Sequence, residues 1–302
     1  MGQNQYGQIG DGSTSTRFSP SQVSGLGEVT AISAGRLHSL ALKGDGSVWA
    51  WGNNSYGQLG DGSTNGTLTA VQVPGLMGLI GVAAGELHSL ALNADGTVWA
   101  WGNNGAGQLG DGTTDYRLSP VQVSGIADAV AIAAGQGHSL ALKSDGTVWS
   151  WGINTAGQLG DGATRARQAP IQAQVPTAIA GIAAGPDHSV AVGSDGSVWT
   201  WGDNLYGQLG YESSAPDITA PRPVPDPPRV VPGLTHTALV AAGARHTLAV
   251  QTDGSTWEWG DNTYLRGAGS LPSLSSPAQV AAISHAIAIA GGGNHSLALA
   301  AP

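Results

Sequence analysis

The chain has 302 residues, a formal net charge of −9 at pH 7, two lysines and no cysteine. The charge excludes a surface that draws affinity from neutralising nucleic-acid phosphates or anionic lipid. The missing cysteine excludes disulfides and thiolate metal sites, and no run of eighteen apolar residues spans a membrane. Forty-eight glycines and ten tryptophans against one phenylalanine fit many short strands joined by tight turns, so the chain reads as all-β.

In chain order, the first fifty residues set a pattern that the rest repeats. "GQNQYGQIGDG" opens the chain, and "AGRLHSLAL" and "VWAWGNNSYGQLGDG" follow from Ala34 and Val48. The Trp-x-Trp pair recurs at 49/51, 99/101, 149/151, 199/201 and 257/259, and the AGxxH phrase begins at Ala34, Ala84, Ala134, Ala184 and Ala242, with "GGGNHS" from Gly291. Six repeats run approximately over 2–51, 52–101, 102–151, 152–201, 202–259 and 260–302 of one domain. In the unit 53–102, "LTAVQV", "LIGVAAG", "HSLALNA" and "TVWAWG" read as four strands by period-two alternation. Asp95-Gly96 between the last two predicts a two-residue type I′ hairpin with positive φ at both positions. Four antiparallel strands every fifty residues define a β-propeller blade, which cannot bury both faces without neighbours.

Each recurring residue type has a structural reading. Trp51, Trp101, Trp151, Trp201 and Trp259 fill the space between adjacent blades, each burying about 150–250 Å². His38, His88, His138, His188, His246 and His295 recur once per blade. They are spread around an axis and not gathered on one ion, so they read as buried hydrogen-bonding groups. No metal and no cofactor is expected, and no GxSxG, HExxH or phosphate-cradling motif occurs.

The pattern AGxxHSLAL…DGxVWxWGxNxxGQLGDG resembles the repeats of the regulator of chromosome condensation (RCC1-like) family over nearly the whole chain, and the spacing is most similar to bacterial members. The resemblance implies a propeller used as a protein-binding platform. Well-known members have seven blades, whereas six units are counted here. No long early hairpin insertion matches the exchange-factor branch. Ala244 stands where the photoreceptor branch carries tryptophan.

Antiparallel strand order brings the AGxxH turn and the loop after Trp-Gly to one face, and the residues that vary between repeats fall there. Partner-binding candidates are Tyr6, Arg36, Leu37, Tyr56, Glu86, Leu87, Asp187, Tyr206, Arg245 and Tyr264, because tyrosine and arginine anchor interfaces and rigid scaffolds carry function on loops. The Pro-rich insertion 211–233, with seven prolines, predicts an extended loop and no central strand. The leading reading is a non-catalytic protein-binding scaffold whose partner, of unidentified kind, docks on the loop-rich face. An enzyme with a site in the central funnel and a guanine-nucleotide exchange factor-like regulator are the alternatives. Secreted or bacterial cell-surface location is favoured over cytoplasmic. The last two strand phrases, "AIAIAGG" and "HSLALAA", lack a third of their own, which predicts an incomplete terminal blade and self-association through its edge.

Overall fold

The computed structural model describes residues 1–212, 227–263 and 273–301. Among them there is no helix, and 22 strands build six antiparallel sheets. The first sheet contains β1 (Val29–Ala34), β2 (His38–Lys43), β3 (Val48–Gly52) and β4 (Thr67–Gln72). The second contains β5 (Leu79–Ala84), β6 (His88–Asn93), β7 (Val98–Gly102) and β8 (Arg117–Gln122). The third contains β9 (Ala129–Ala134), β10 (His138–Lys143), β11 (Val148–Gly152) and β12 (Arg167–Gln172). The fourth contains β13 (Ile179–Ala184), β14 (His188–Gly193), β15 (Val198–Gly202) and β16 (Arg229–Val230). The fifth contains β17 (Thr237–Ala242), β18 (His246–Gln251), β19 (Thr256–Asp261) and β20 (Ser273–Gln279). The last is a two-stranded pair, β21 (Ala286–Gly291) with β22 (Ser296–Ala300).

Strand order follows chain order in every sheet. The sheets are out of phase with the fifty-residue sequence unit. "LTAVQ", read as the first strand of the unit from 53, is β4 and pairs with β3, closing the preceding sheet: Trp49 faces Gln72 and Ala50 faces Val71. Each of the first three sheets therefore starts at the strand before AGxxH and takes its outer strand from beyond the GQLGDG loop. β16 is likewise an edge strand against β15, the place where a proline-flanked segment loses no ladder hydrogen bond. The remainder of the Pro-rich insertion, 213–226, lies outside the described residues.

At Asp95-Gly96 and at its counterpart Asp45-Gly46 the hairpin differs from the expected two-residue type I′ turn. Gly46 N–H bonds the Lys43 carbonyl and Lys43 N–H bonds the Ser47 carbonyl, both at 2.9 Å, so the loop has three residues. Only Gly46, at φ 78°, is left-handed there, as in a tight turn followed by a left-handed glycine. Asp45 Oδ1 takes the role left by the absent second positive φ, accepting from Ser47 N–H at 2.9 Å and Ser47 Oγ at 2.6 Å. Those hydrogen bonds lower the Asp45 pKa.

The chain divides into two compact units. One comprises Met1–Lys143, Trp151–Ile153 and Ala166–Pro170; the other comprises Ser144–Ser150, Asn154–Arg165 and Ile171–Pro302. In the first, β5 packs on β1 and β2, and β9 on β5 and β6. Leu40, Leu42, Val48, Leu59, Val73, Leu79 and Trp101 form its buried core. In the second, β17 packs on β13 and β14, and β21 on β17 and β18, around Val190, Val198, Val231, Leu234, Ala249 and Trp259. Middle strands are covered on both faces, so β6 and β10 are buried at five consecutive positions where simple alternation would bury every second one.

Candidate functional site

The loops that carry the candidate residues are fixed from beneath by buried polar side chains. In the GNNxxGQLGDG loop, Asn54 is 1% exposed; its Oδ1 accepts Leu59 N–H at 2.9 Å and its Nδ2 donates to Asp61 Oδ1 and the Ser63 carbonyl at 3.1 Å. Gln58 Oε1 accepts Tyr56 N–H at 2.9 Å, and its Nε2 donates to Asn53 Oδ1 at 2.8 Å. The same frame recurs at Asn104 and Gln108, and at Asn154 and Gln158. Each loop is tied to the AGxxH turn of its own sheet: Asn53 N–H donates to the Leu37 carbonyl, Asn103 to Leu87, Asp203 to Asp187 and Asp261 to Arg245, at 2.8–2.9 Å. Turn and loop thus emerge together, which places the variable residues side by side.

The five tryptophans of the second Trp position are buried, Trp101, Trp151 and Trp201 completely. Each indole N–H reaches the glutamine carbonyl of the preceding loop: Trp51 to Gln8, Trp101 to Gln58, Trp151 to Gln108, Trp201 to Gln158 and Trp259 to Gln208, at 2.8–2.9 Å. The histidines bridge sheets. His38 Nε2 lies 2.9 Å from Ser89 Oγ, His88 3.0 Å from Ser139, His188 3.1 Å from Thr247 Oγ1 and His246 3.0 Å from Ser296. Ser89 Oγ already donates to the Gln58 carbonyl at 2.8 Å, so His38 is the donor in its pair and carries its proton on Nε2. Burial lowers the His38 and His246 pKa to about 4 and that of His88 to about 3. His138 is also buried. His295, expected to share this burial, is exposed in the turn between β21 and β22, where β22 is itself largely exposed.

Of the partner-binding candidates, the fold joins two pairs. Arg36 forms an ion pair with Glu86 of the next turn, which raises its pKa further, with a smaller electrostatic contribution from Tyr6. Arg245 stacks its guanidinium 4.2 Å over the Tyr206 ring and lies 3.9 Å from Asp261. Tyr56 instead meets Tyr116, a residue the sequence reading passed over, edge-on at 5.2 Å and 77°. Asp187 accepts from Gln158 Nε2 at 3.3 Å. Tyr6 is 43% exposed and Tyr116 52%, whereas Leu37 and Leu87 are half-buried and act through their carbonyls. Tyr264 lies outside the described residues. Sequence offers one signal for the Arg36–Glu86 contact, an offset of fifty residues equal to the repeat, but none for the aromatic pair.

The opposite ends of the sheets fasten neighbours together. The carbonyls of Gly96, Gly146, Gly196 and Gly254 in the Asp-Gly turns accept N–H groups of Ala129, Ile179, Thr237 and Ala286, at 2.9–3.1 Å. A concavity of about 440 Å³ lined by Gln22, Val23, Ser24, Gly25, Leu26 and Gly27 holds no titratable side chain.

Repeated four-stranded antiparallel sheets, packed within each unit so that the first strand of one lies on the inner strands of the sheet before it, define the protein as a β-propeller of repeated blades. The RCC1-like domain profile matches residues 70–301, and regulator of chromosome condensation (RCC1) repeats match 1–42, 45–92 and 29–58; the chain belongs to this family. Human WBSCR16 is similar in structure, with a TM-score of 0.84 and 26% identity over 98% of this chain and 79% of that one. Prp20p of Saccharomyces cerevisiae, described with its binding to Gsp1p and histones, gives 0.68 and 24% over 98% and 89%. Yeast RCC1 (Prp20) with Kap60 bound to it gives 0.67 and 24% over 89% and 79%. No curated protein sequence matches the chain.

Proposed function

We propose that the protein is a non-catalytic binding scaffold whose protein partner docks on the sheet ends that carry the AGxxH turns and the loops after Trp-Gly. The observation that carries this reading is the contrast within those ends. Their backbone is held by buried Asn, Gln and Trp side chains, while Tyr6, Arg36, Tyr116 and Arg245 stand exposed above it. A rigid frame presenting tyrosine and arginine loses little entropy on binding. Prp20p, described as binding Gsp1p and histones, supports a partner that is itself a protein.

The test is affinity capture from the source cell with four proteins: the parent, Tyr206→Ala, Arg245→Ala and, at the opposite sheet end, Asp95→Asn. The reading expects a protein captured by the parent and Asp95→Asn and lost with the other two. Capture that survives both loop-end substitutions overturns it, as does small-molecule turnover by the purified chain.

A further inference from the structure

Asparagine precedes glycine twice in the chain, at Asn65-Gly66 and Asn104-Gly105. Glycine has no Cβ to obstruct approach of its own nitrogen to the preceding side chain, so the two sites are equally reactive as peptides. The fold separates them. Asn104 is fully buried; its Oδ1 accepts Leu109 N–H at 2.9 Å, and its Nδ2 donates to Asp111 Oδ1 and the Thr113 carbonyl, both at 3.1 Å. Gly105 N–H, the group that would attack, is bonded to Asn103 Oδ1 at 2.8 Å. Asn65 and Gly66 are both exposed, in the irregular stretch before β4. The Asn65 backbone is held, its N–H by Ser63 Oγ and its carbonyl by Asn54 Nδ2, each at 3.1 Å. Among the described residues, its carboxamide and the Gly66 N–H have no hydrogen-bond partner.

We propose that Asn65 is a site of spontaneous deamidation and that the fold protects Asn104. The Gly66 nitrogen, losing its proton to solvent base, bonds to Asn65 Cγ. The Cγ–Nδ2 bond breaks, and Nδ2 leaves as ammonia after taking up a proton. Water then adds to one of the two carbonyls of the five-membered succinimide and opens it, giving aspartate or isoaspartate at 65. Either product takes the formal charge from −9 to −10. Isoaspartate also routes the main chain through one extra methylene, which displaces the carbonyl that Asn54 uses to hold the loop bearing Tyr56.

The full chain is incubated at mildly alkaline pH, folded and in urea, and both sites are followed by peptide mapping for conversion of amide to acid and for isoaspartate. Folded, Asn104 is expected to react at least about tenfold more slowly than Asn65, since it must first open locally and break several hydrogen bonds. In urea the two rates should converge. Equal rates in the folded chain overturn the proposal, as does an Asn65 that reacts only in urea or a difference that persists there. The variant Asn65→Gln should keep the parent circular dichroism spectrum and lose the product at this site.

Discussion

His38 donates from Nε2 to Ser89 Oγ across the boundary between the first and second sheets, at 2.9 Å, with both side chains completely buried. Ser89 Oγ donates in turn to the main-chain carbonyl of Gln58, which also accepts the Trp101 indole N–H at 2.9 Å. One carbonyl thus collects a hydrogen bond from each of two strands in the next sheet. The unit repeats wherever AGxxHS and GQLG recur, and it explains why histidine, serine and tryptophan recur together. The acceptor is a main-chain carbonyl, and the glutamine side chain recurs for the separate bonds it makes within its own loop.

Stability should fall on mild acidification. The folded pKa of His38 and His246 is about 4 and that of His88 about 3, against 6.5 when unfolded. Between those values the unfolded chain binds protons that the native one refuses, so stability is intact above pH 6.5 and is lost as pH falls toward 4. Each histidine contributes up to about 1.4 kcal/mol per pH unit. Carboxylates such as Asp45 and Asp95, whose folded pKa is lowered by Ser47 and Thr97 hydrogen bonds, lose their contribution only as pH falls below the unfolded value of 3.8. Urea midpoints measured from pH 7 to 4 should therefore decline, and His88→Gln should flatten that decline. A midpoint constant over the window would mean that the histidines are not buried as neutral groups.

The two tryptophans of a pair should not be equivalent. Trp101 is 0% exposed and hydrogen-bonded, while Trp99 is half-buried with no partner for its Nε1. Trp101→Ala is expected to cost about 3–5 kcal/mol, and Trp99→Ala clearly less, in equilibrium denaturation. Matching melts for the two variants would place the sheet boundary on the wrong residue.

Much of this architecture was legible from periodicity, because the fifty-residue spacing fixes which residues are equivalent even before any contact is known. The blade's phase was not, since β4 reads equally well as the start of its own unit and only pairing with β3 assigns it to the preceding sheet. The Asp-Gly hairpin misled for a similar reason: Asp45 Oδ1 bonds to Ser47 replace the backbone conformation that the dipeptide suggests by itself. His236 and His285 carried no signal in sequence, yet they adopt φ of 59° and 56°. They precede β17 and β21, and Gly78 takes the same conformation, φ 68°, just before β5. The Tyr56–Tyr116 contact depends on the distance between adjacent loops, which no local pattern encodes.

The glycine of AGxxH should tolerate no side chain, although its φ is ordinary. A Cβ on Gly85 would run into the His88 ring and come within 2.7 Å of the Gly135 carbonyl, where backbone of the next sheet cannot retreat. Gly85→Ala should cost about 1–3 kcal/mol or more by forcing the sheets apart. Gly27→Ala, with nothing within 4 Å and no left-handed φ, should be neutral or stabilising by up to about 1 kcal/mol. Thermal melts of the two variants make the comparison, and equal effects would deny the close approach.

The shared acceptor makes a stronger prediction, because it concerns coupling between two side chains that need not touch. Ser89→Ala removes one donor to the Gln58 carbonyl and leaves His38 Nε2–H without its acceptor, while the Trp101 indole still satisfies that carbonyl. Trp101→Phe removes the other donor and leaves Ser89 in place. Each change leaves the buried carbonyl one bond; together they leave it none, in a site with no access to water. A buried polar group without a partner costs about 1–3 kcal/mol, and this cost arises only in the double variant. The double-mutant cycle should therefore show the pair to be more destabilising than the sum of the single changes, by more than about 0.5 kcal/mol. Strict additivity would mean that Gln58 is not the common acceptor, and the tie between one loop and the two strands of the next sheet would have to lie elsewhere.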